Sequence, residues 1–361
     1  VHPVTGGTLR GRSWPEADAA FRSDPRWVGG DDAYSIDLRD GRRLWLFGDT
    51  FIAPDGGSRA DAAFIHNSIA VQHGSNLGAD PIEFAWDPTA DAPRSYFPDG
   101  DDGSYLWPGH GIRLGDAVLL FLMRVRDVAD PPPGIETLTF FDVYDWEAVL
   151  IEDVSGDPAN WQLRWLERPW SPAGALVSPG VVANDDHLYA FAVDRPHAYL
   201  CRWPLEQAAT GDLTAAAWWD GPDRGWVEGG QQNRPAVVLA EAESEFTVHR
   251  DGDTGRFVQM QLAGLTAPRL EVRLADRPEG PWSQPTVVDY RPDDVGQPDR
   301  FFYAGKAHPG LPGGDLVVTH NAIHYTLAGI REHDDLYRPR VVVVDADGDG
   351  LVAAAMGQRV T

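Results

Sequence analysis

The 361-residue chain has a single cysteine, Cys201, so no disulfide can form within it. The surrounding run AYLCRWPL is apolar and strand-like, the setting of a buried, inert thiol rather than a nucleophile. No apolar run approaches the roughly 20 residues that a membrane-spanning helix needs. Basic residues are scarce: 30 Lys and Arg stand against 55 Asp and Glu, for a net charge of −25. That balance argues against nucleic acid or an anionic membrane as partner and suits a neutral or cationic ligand, although most of the charge serves to solvate the surface. HExxH spacing is missing, which leaves a catalytic zinc unsupported. His320 and His324 are four apart, but in a β context they do not share a helical face. No Gly-x-Ser-x-Gly elbow is present, which excludes an α/β-hydrolase. VDADGDG at Val344 opens like a calcium loop, yet the twelfth position is Met356 and no helical pattern flanks it, so a β-turn is expected and a structural calcium is unsupported. The opening VHPVTGG has neither Met nor an apolar leader core; a processed or truncated start, and secretion after processing, are the expectations.

Long helical periodicity is also lacking. In its place are 38 glycines, 29 prolines and many short apolar runs between Asp, Gly and Pro clusters, the pattern of an all-β protein. The 14 tryptophans serve mainly to fill gaps between sheets, with a minority free to stack on a ligand.

The run from Trp27 to Phe51, WVGGDDAYSIDLRDGRRLWLFGDTF, reads as one hairpin turning at Asp40-Gly41. Asp31 opens its first strand and Asp49 closes its second, so the fold of the hairpin brings both acids to its open end. Two carboxylates at one mouth of a β-structure are what glycosidic bond cleavage employs.

The return strand of this hairpin, LWLF at Leu44, recurs as VLLF at Val118, LYAF at Leu188, FVQM at Phe257 and LVVT at Leu316, each after a polar turn. The spacing of roughly 70 residues is that of an array or propeller. Third strands are expected at Ser68, Asp145, Ala198, Arg269 and Arg338, and outer strands in IEFAWD, WQLRWLE, AAWWDG and WSQPTVVDY. Four strands per unit give a single five-bladed β-propeller domain over residues 1–361. Its blades would cover roughly 27–95, 96–168, 169–228, 229–290 and 291–361, with residues 1–26 available to complete one. A pair of β-sandwiches explains the strand count but not the spacing.

GGDDAYSIDLRDGRRLWLFGDTF, followed by FIHNSIAVQ at Phe64, resembles bacterial proteins of domain-of-unknown-function family 4185, part of which is glycoside hydrolase family 183, the endo-D-arabinanases. The likeness is strong over residues 27–72. Elsewhere it is architectural, carried by pieces such as SPGVV at Ser178 and DRPEGPWSQP at Asp276. The resemblance implies a five-bladed propeller that cuts internal α-D-arabinofuranosidic linkages of actinobacterial arabinogalactan and lipoarabinomannan by inversion, with Asp31 and Asp49 as the paired aspartates. The doubled acid Asp31-Asp32 departs from the family, where Asp-Gly is common; Asp31 is preferred because it follows Gly29-Gly30.

Asp49 ends an apolar strand and is expected to be the desolvated acid, with Asp31 the base. Glu245 is an alternative acid. In a propeller, the first strands deliver residues to a common mouth, and the candidates for holding sugar are His66, Asn67, Trp107, His110, Gln232, Glu245, Tyr303, Lys306 and His308. No cofactor or catalytic metal is expected. The partner is a polysaccharide or oligosaccharide, with no nucleic acid and no membrane insertion. An exo-acting furanosidase and a non-catalytic sugar-binding propeller are the competing readings.

Overall fold

Each of the five recurring apolar runs forms the second strand of an antiparallel sheet. In the computed structural model, which describes residues 8–87, 92–128, 141–172, 174–184, 186–229, 234–347 and 350–357, these strands are Arg42–Phe47, Ala117–Asp127, His187–Asp194, Phe257–Ala263 and Leu316–His324. Each pairs on one side with a first strand (Tyr34–Asp37, Tyr105–Leu114, Leu176–Ala183, Thr247–Arg250, Arg300–Ala307). On the other side lies a third (Ser68–His73, Phe141–Ile151, His197–Pro204, Arg269–Ala275, Arg340–Ala346). Outer strands follow at Ile82–Ala85, Leu163–Trp165, Ala217–Trp219 and Thr286–Val287. The third sheet adds a fifth strand, Trp226–Glu228, and the last sheet takes its outer strand, Leu9–Ser13, from the start of the chain. The protein is therefore all-β. Among the described residues, no helix is long and apolar enough to cross a membrane.

The second strands read as continuous apolar runs because both of their faces are covered. Successive side chains of a strand point to opposite faces, and here each face packs on a different neighbour. Leu44 and Leu46 meet Val118, Leu120 and Leu122 of the second sheet. Leu119 and Phe121 turn the other way, to Val177 and Ala190 of the third. Phe191 joins Phe246 and Val248 of the fourth, and Val258 and Met260 join Phe302 and Val318 of the fifth. Trp45 and Phe47 of the first sheet then pack with Val317 and Val341 of the fifth. Polar contacts tie the same first and fifth sheets together: Ser35 Oγ lies 2.7 Å from His308 Nδ1, and Arg43 donates to the Pro309 carbonyl at 2.8 Å.

Glycines let the first strands approach the neighbouring sheets closely. The registers of three of them slip at WPGH, SPGV and YAGK. A Cβ on Gly109 would lie 2.7 Å from the Ser178 carbonyl, and one on Gly305 would lie 2.4 Å from the Leu262 nitrogen. The slip between Tyr303 and Lys306, with Ala304 at φ +58°, re-aims the side chains of that strand.

Two expectations change. The first strand does not run unbroken from Asp31 to Asp40. Trp27–Gly30 pairs with Thr50–Ile52, which in turn pairs with Ala63–Ile65 in a separate three-stranded sheet, and the first sheet begins only at Tyr34. The break falls at Asp32 and Ala33, whose φ angles of +70° and +60° are incompatible with a strand. A short helix, Leu351–Gly357, does follow the calcium-like motif, although residues 348–349 of that motif lie outside the described residues.

Gly109→Ala and Gly305→Ala are each expected to destabilise the fold by about 1–3 kcal/mol through overpacking against backbone. Gly156→Ala, with nothing within 4 Å, should be close to neutral. Urea midpoints of the three variants check this.

Candidate active site

The break in the hairpin places the two acids face to face. Gly30 is paired with Thr50 and Tyr34 with Leu46, so Asp31 and Asp49 occupy opposite positions on the intervening rungs. The Asp31 N–H donates to the Asp49 carbonyl at 3.3 Å, and the Gly48 N–H to the Asp31 carbonyl at 3.3 Å. Like charges directly opposite one another are destabilising in an antiparallel pair, and here both carboxyls are also half-buried. Gly48 makes room for them: a Cβ there would stand 2.6 Å from Asp31 Oδ1.

Each acid is held from a different sheet. Asp31 Oδ2 accepts the hydroxyls of Tyr303, at 2.6 Å, and Tyr337, at 3.0 Å. Asp49 Oδ1 accepts the Trp107 indole N–H at 2.9 Å and lies 3.1 Å from His66 Nδ1. Burial, helped by the Asp49 charge and by Glu245, pushes the Asp31 carboxyl up to about 8 against the opposing tyrosine bonds. Burial also raises Asp49, with His66 and Trp107 pulling the other way. Burial alone would lower His66, but the Asp49 carboxylate wins and its imidazole is raised. The Asp49 charge is among the causes that raise Asp31, so Asp49 gives up its proton first and Asp31 holds its own up to about 8; that order favours Asp31 as the acid, opposite to the expectation from sequence.

A second charged cluster adjoins the first. Lys306, completely buried, places its ammonium 2.6 Å from Asp32 and 2.5 Å from Glu245 and 4.3 Å above the Tyr34 ring. Two carboxylates share one cation. Burial drives Asp32 well above the ordinary carboxylate range, Lys306 being insufficient to offset it. Glu245, despite burial, is lowered by Lys306 and by the bond to Asp32. Lys306 is raised because its two acids outweigh its own burial. The cluster thus biases Asp32 toward its neutral form and keeps Glu245 and Lys306 charged. Glu245 therefore enters as a carboxylate and not as a proton donor. The positive φ at Asp32 is the local strain that turns this side chain toward Lys306.

Both clusters border a cavity of about 210 Å³ whose walls include Asp31, Asp32, Asp49, Trp107, Glu245, Tyr303 and Tyr337. Of the residues proposed to hold sugar, Trp107, Tyr303 and Glu245 line it. His66 stands behind Asp49, its ring stacked on Tyr105 at 3.7 Å, and Lys306 lies beneath Asp32 and Glu245. Three proposals need correction. Asn67 is fully buried, with its amide bonded to the carbonyls of Phe97 and Leu106 and to the Phe97 N–H. The His110 Nδ1 accepts the Val181 N–H at 3.0 Å, joining the second and third sheets; burial lowers its imidazole to about 3. His308 is inaccessible, bonded to Ser35 and Thr319 at 2.7 and 2.8 Å. All three bond within the scaffold, and none of them lines the cavity. Gln232 lies outside the described residues. Tyr337 was not legible in the sequence: it arrives from the loop before the strand Arg340–Ala346, at φ +57°, with no motif around it. Among the described residues, no group of three or more His, Cys, Asp or Glu side chains is arranged to hold a metal ion.

The model of the family described as domain of unknown function DUF5005 matches residues 16–346 of the chain. The chain belongs to that family. The architecture of this DUF5005 protein is also that of a Bacteroides ovatus ATCC 8483 protein described as a "putative hydrolase", at 18% identity and a TM-score of 0.72 over 93% of this chain and 90% of that one. Weaker likenesses include a family-43 glycoside hydrolase from Xanthomonas citri complexed with xylotriose (12% identity, TM-score 0.47, 94% and 96% covered). Another is an α-L-arabinofuranosidase from Lactobacillus brevis (14%, 0.44, 91% and 94%). No curated protein matches the DUF5005 chain.

The raised Asp31 has a consequence for stability. Between the ordinary carboxylate value of 3.8 and about 8, the folded chain holds a proton that the unfolded chain has released, so stability falls as pH rises across that window, by about 1.4 kcal/mol per pH unit where one full proton differs. Asp31→Asn removes this loss. The variant should gain stability relative to the parent between pH 4 and pH 8, as read by urea unfolding at each pH.

Proposed function

We propose that this DUF5005 chain is a glycoside hydrolase, that its five sheets are the blades of a five-bladed propeller, and that it cleaves internal α-D-arabinofuranosidic linkages of D-arabinan by inversion. The observation that carries the reaction type is the opposed pair Asp31 and Asp49 beside a cavity, with Asp31 holding its proton up to about 8 and Asp49 losing its proton first. Glycoside hydrolysis needs one protonated and one ionised carboxyl at once. A sugar-binding protein has no use for a proton stored on a buried carboxyl. The arabinan substrate rests on the likeness of the hairpin motif to family 183, and inversion on the same likeness. A wall polysaccharide as substrate places the enzyme outside the cytoplasm.

In this reading Asp49, whose Oδ1 is held by Trp107 and His66, takes a proton from water through Oδ2. The water oxygen bonds to the anomeric carbon as the bond to the leaving oxygen breaks. Asp31 passes its proton to that oxygen. The two carboxyls exchange states in the reaction, and proton transfer with solvent resets them. Glu245 acts at a distance: its negative charge helps hold the proton on Asp31.

Incubation with purified mycobacterial arabinogalactan should release an oligosaccharide ladder. Single arabinose would point to exo action, and no release from any furanoside would end the hydrolase reading. Asp31→Asn and Asp49→Asn should each lower kcat by about 10²–10⁴-fold. On an aryl furanoside with a good leaving group, Asp31→Asn should recover much of its rate and Asp49→Asn should not.

A further inference from the structure

Each carboxyl of the pair is attached to an aromatic wall of its own. Trp107, which donates to Asp49, meets Phe141 edge-on with ring centres 4.6 Å apart. Tyr303, which donates to Asp31, neighbours Phe301 at 5.9 Å, and Phe301 in turn meets Tyr325 at 5.0 Å. The first wall comes from the second sheet and the second from the fifth. Both run outward from the acids to the surface, where Phe141 and Tyr325 are each 37% exposed. Leu265, 56% exposed, extends the cavity's apolar border from the fourth sheet. Nine of the thirteen described phenylalanines are buried, and against them a line of half-open rings leading away from each acid is a feature to be explained.

The charges around the cavity narrow what these rings can hold. Five carboxyl side chains line it: Asp31, Asp32, Asp49, Glu243 and Glu245. Among the described residues, Arg195 is its one cationic lining group, and that guanidinium is 2.8 Å from Glu243. A uronate, sulfate or phosphate would meet net negative charge and no free cation. An uncharged sugar meets what suits it: ring faces for its C–H surface, and a few fixed polar groups at the reacting bond.

We propose that the Trp107–Phe141 and Phe301–Tyr325 walls are two stacking subsites, one on each side of the acid pair, that bind consecutive residues of an uncharged glycan chain. The inner rings flank the bond between Asp31 and Asp49. The outer rings, Phe141 and Tyr325, hold the sugars beyond it, and because both walls open to solvent the chain continues in both directions. This rests on the glycosidase reading of the same site and adds to it the residues that hold the sugars on either side of the cleaved bond.

The test compares Phe141→Ala, Tyr325→Ala and the double variant with the parent chain. On arabinogalactan against an arabinose disaccharide, the ratio of the two kcat/KM values should fall about tenfold for each single variant, the loss of one stacking contact. The change should sit in KM for the polymer. An equal loss on both substrates, or no change in the ratio, overturns the proposal. Should the parent chain cleave neither substrate, native gels containing arabinogalactan, arabinoxylan or polygalacturonate still decide the subsites. The parent must be retarded by a neutral glycan and not by the uronate, and the double variant must migrate freely. No retardation by either neutral glycan, or retardation by polygalacturonate, overturns the proposal even if hydrolysis is established elsewhere.

Discussion

Two carboxyl groups on opposite rungs of one hairpin repel each other, and the rest of the site is organised around keeping them there. Left in water the pair would ionise and splay apart. In this chain Gly48 clears space beside Asp31, two tyrosine hydroxyls fix one acid, and an indole and an imidazole fix the other. The hydrogen-bond donors come from the second and fifth sheets and from the loops at His66 and Tyr337, so the geometry exists only when the sheets are assembled. Burial and the neighbouring charge then disfavour a second negative charge and hold the proton on Asp31 up to about 8.

The neighbouring cluster solves a related problem differently. Asp32 and Glu245 share the one buried ammonium of Lys306. A buried ion pair of this kind is weak evidence for stability, since removing the charges from water offsets most of the attraction. Its effect on the site is electrostatic: it leaves Glu245 ionised, and that charge reinforces the proton on Asp31. The strained backbone at Asp32 and Ala33 links the two clusters, because the same break that opens the hairpin beside Asp31 sends Asp32 to the lysine.

Much of this was legible in the residues. The second strands were readable because a strand covered on both faces is mostly apolar, and LWLF, VLLF, LYAF, FVQM and LVVT all became such strands, with Gln259 and Thr319 as buried polar exceptions. The acid pair was readable because a hairpin turn fixes register. What escaped the sequence depends on tertiary approach. His110 and His308 look like ligands of a mouth, but inter-sheet bonds absorb them. Asn67 follows His66 directly, yet alternation sends it inward to Phe97 and Leu106. Tyr337 has no local signature, and neither did the left-handed turn at Asp32, an aspartate where glycine costs less. The exchange of roles between Asp31 and Asp49 likewise depends on partners more than fifty residues away in Trp107, Tyr303 and Tyr337.

The central claim is that Asp31 remains protonated at neutral pH and keeps its proton longer than Asp49 does. Infrared difference spectra of the parent chain minus Asp31→Asn, recorded from pH 4 to pH 9, measure it directly. The account predicts a protonated carboxyl C=O band assigned to Asp31 that persists at pH 7 and is lost as pH passes about 8. A carboxylate signal already complete at pH 6, or a protonated band that disappears only in Asp49→Asn, would contradict it.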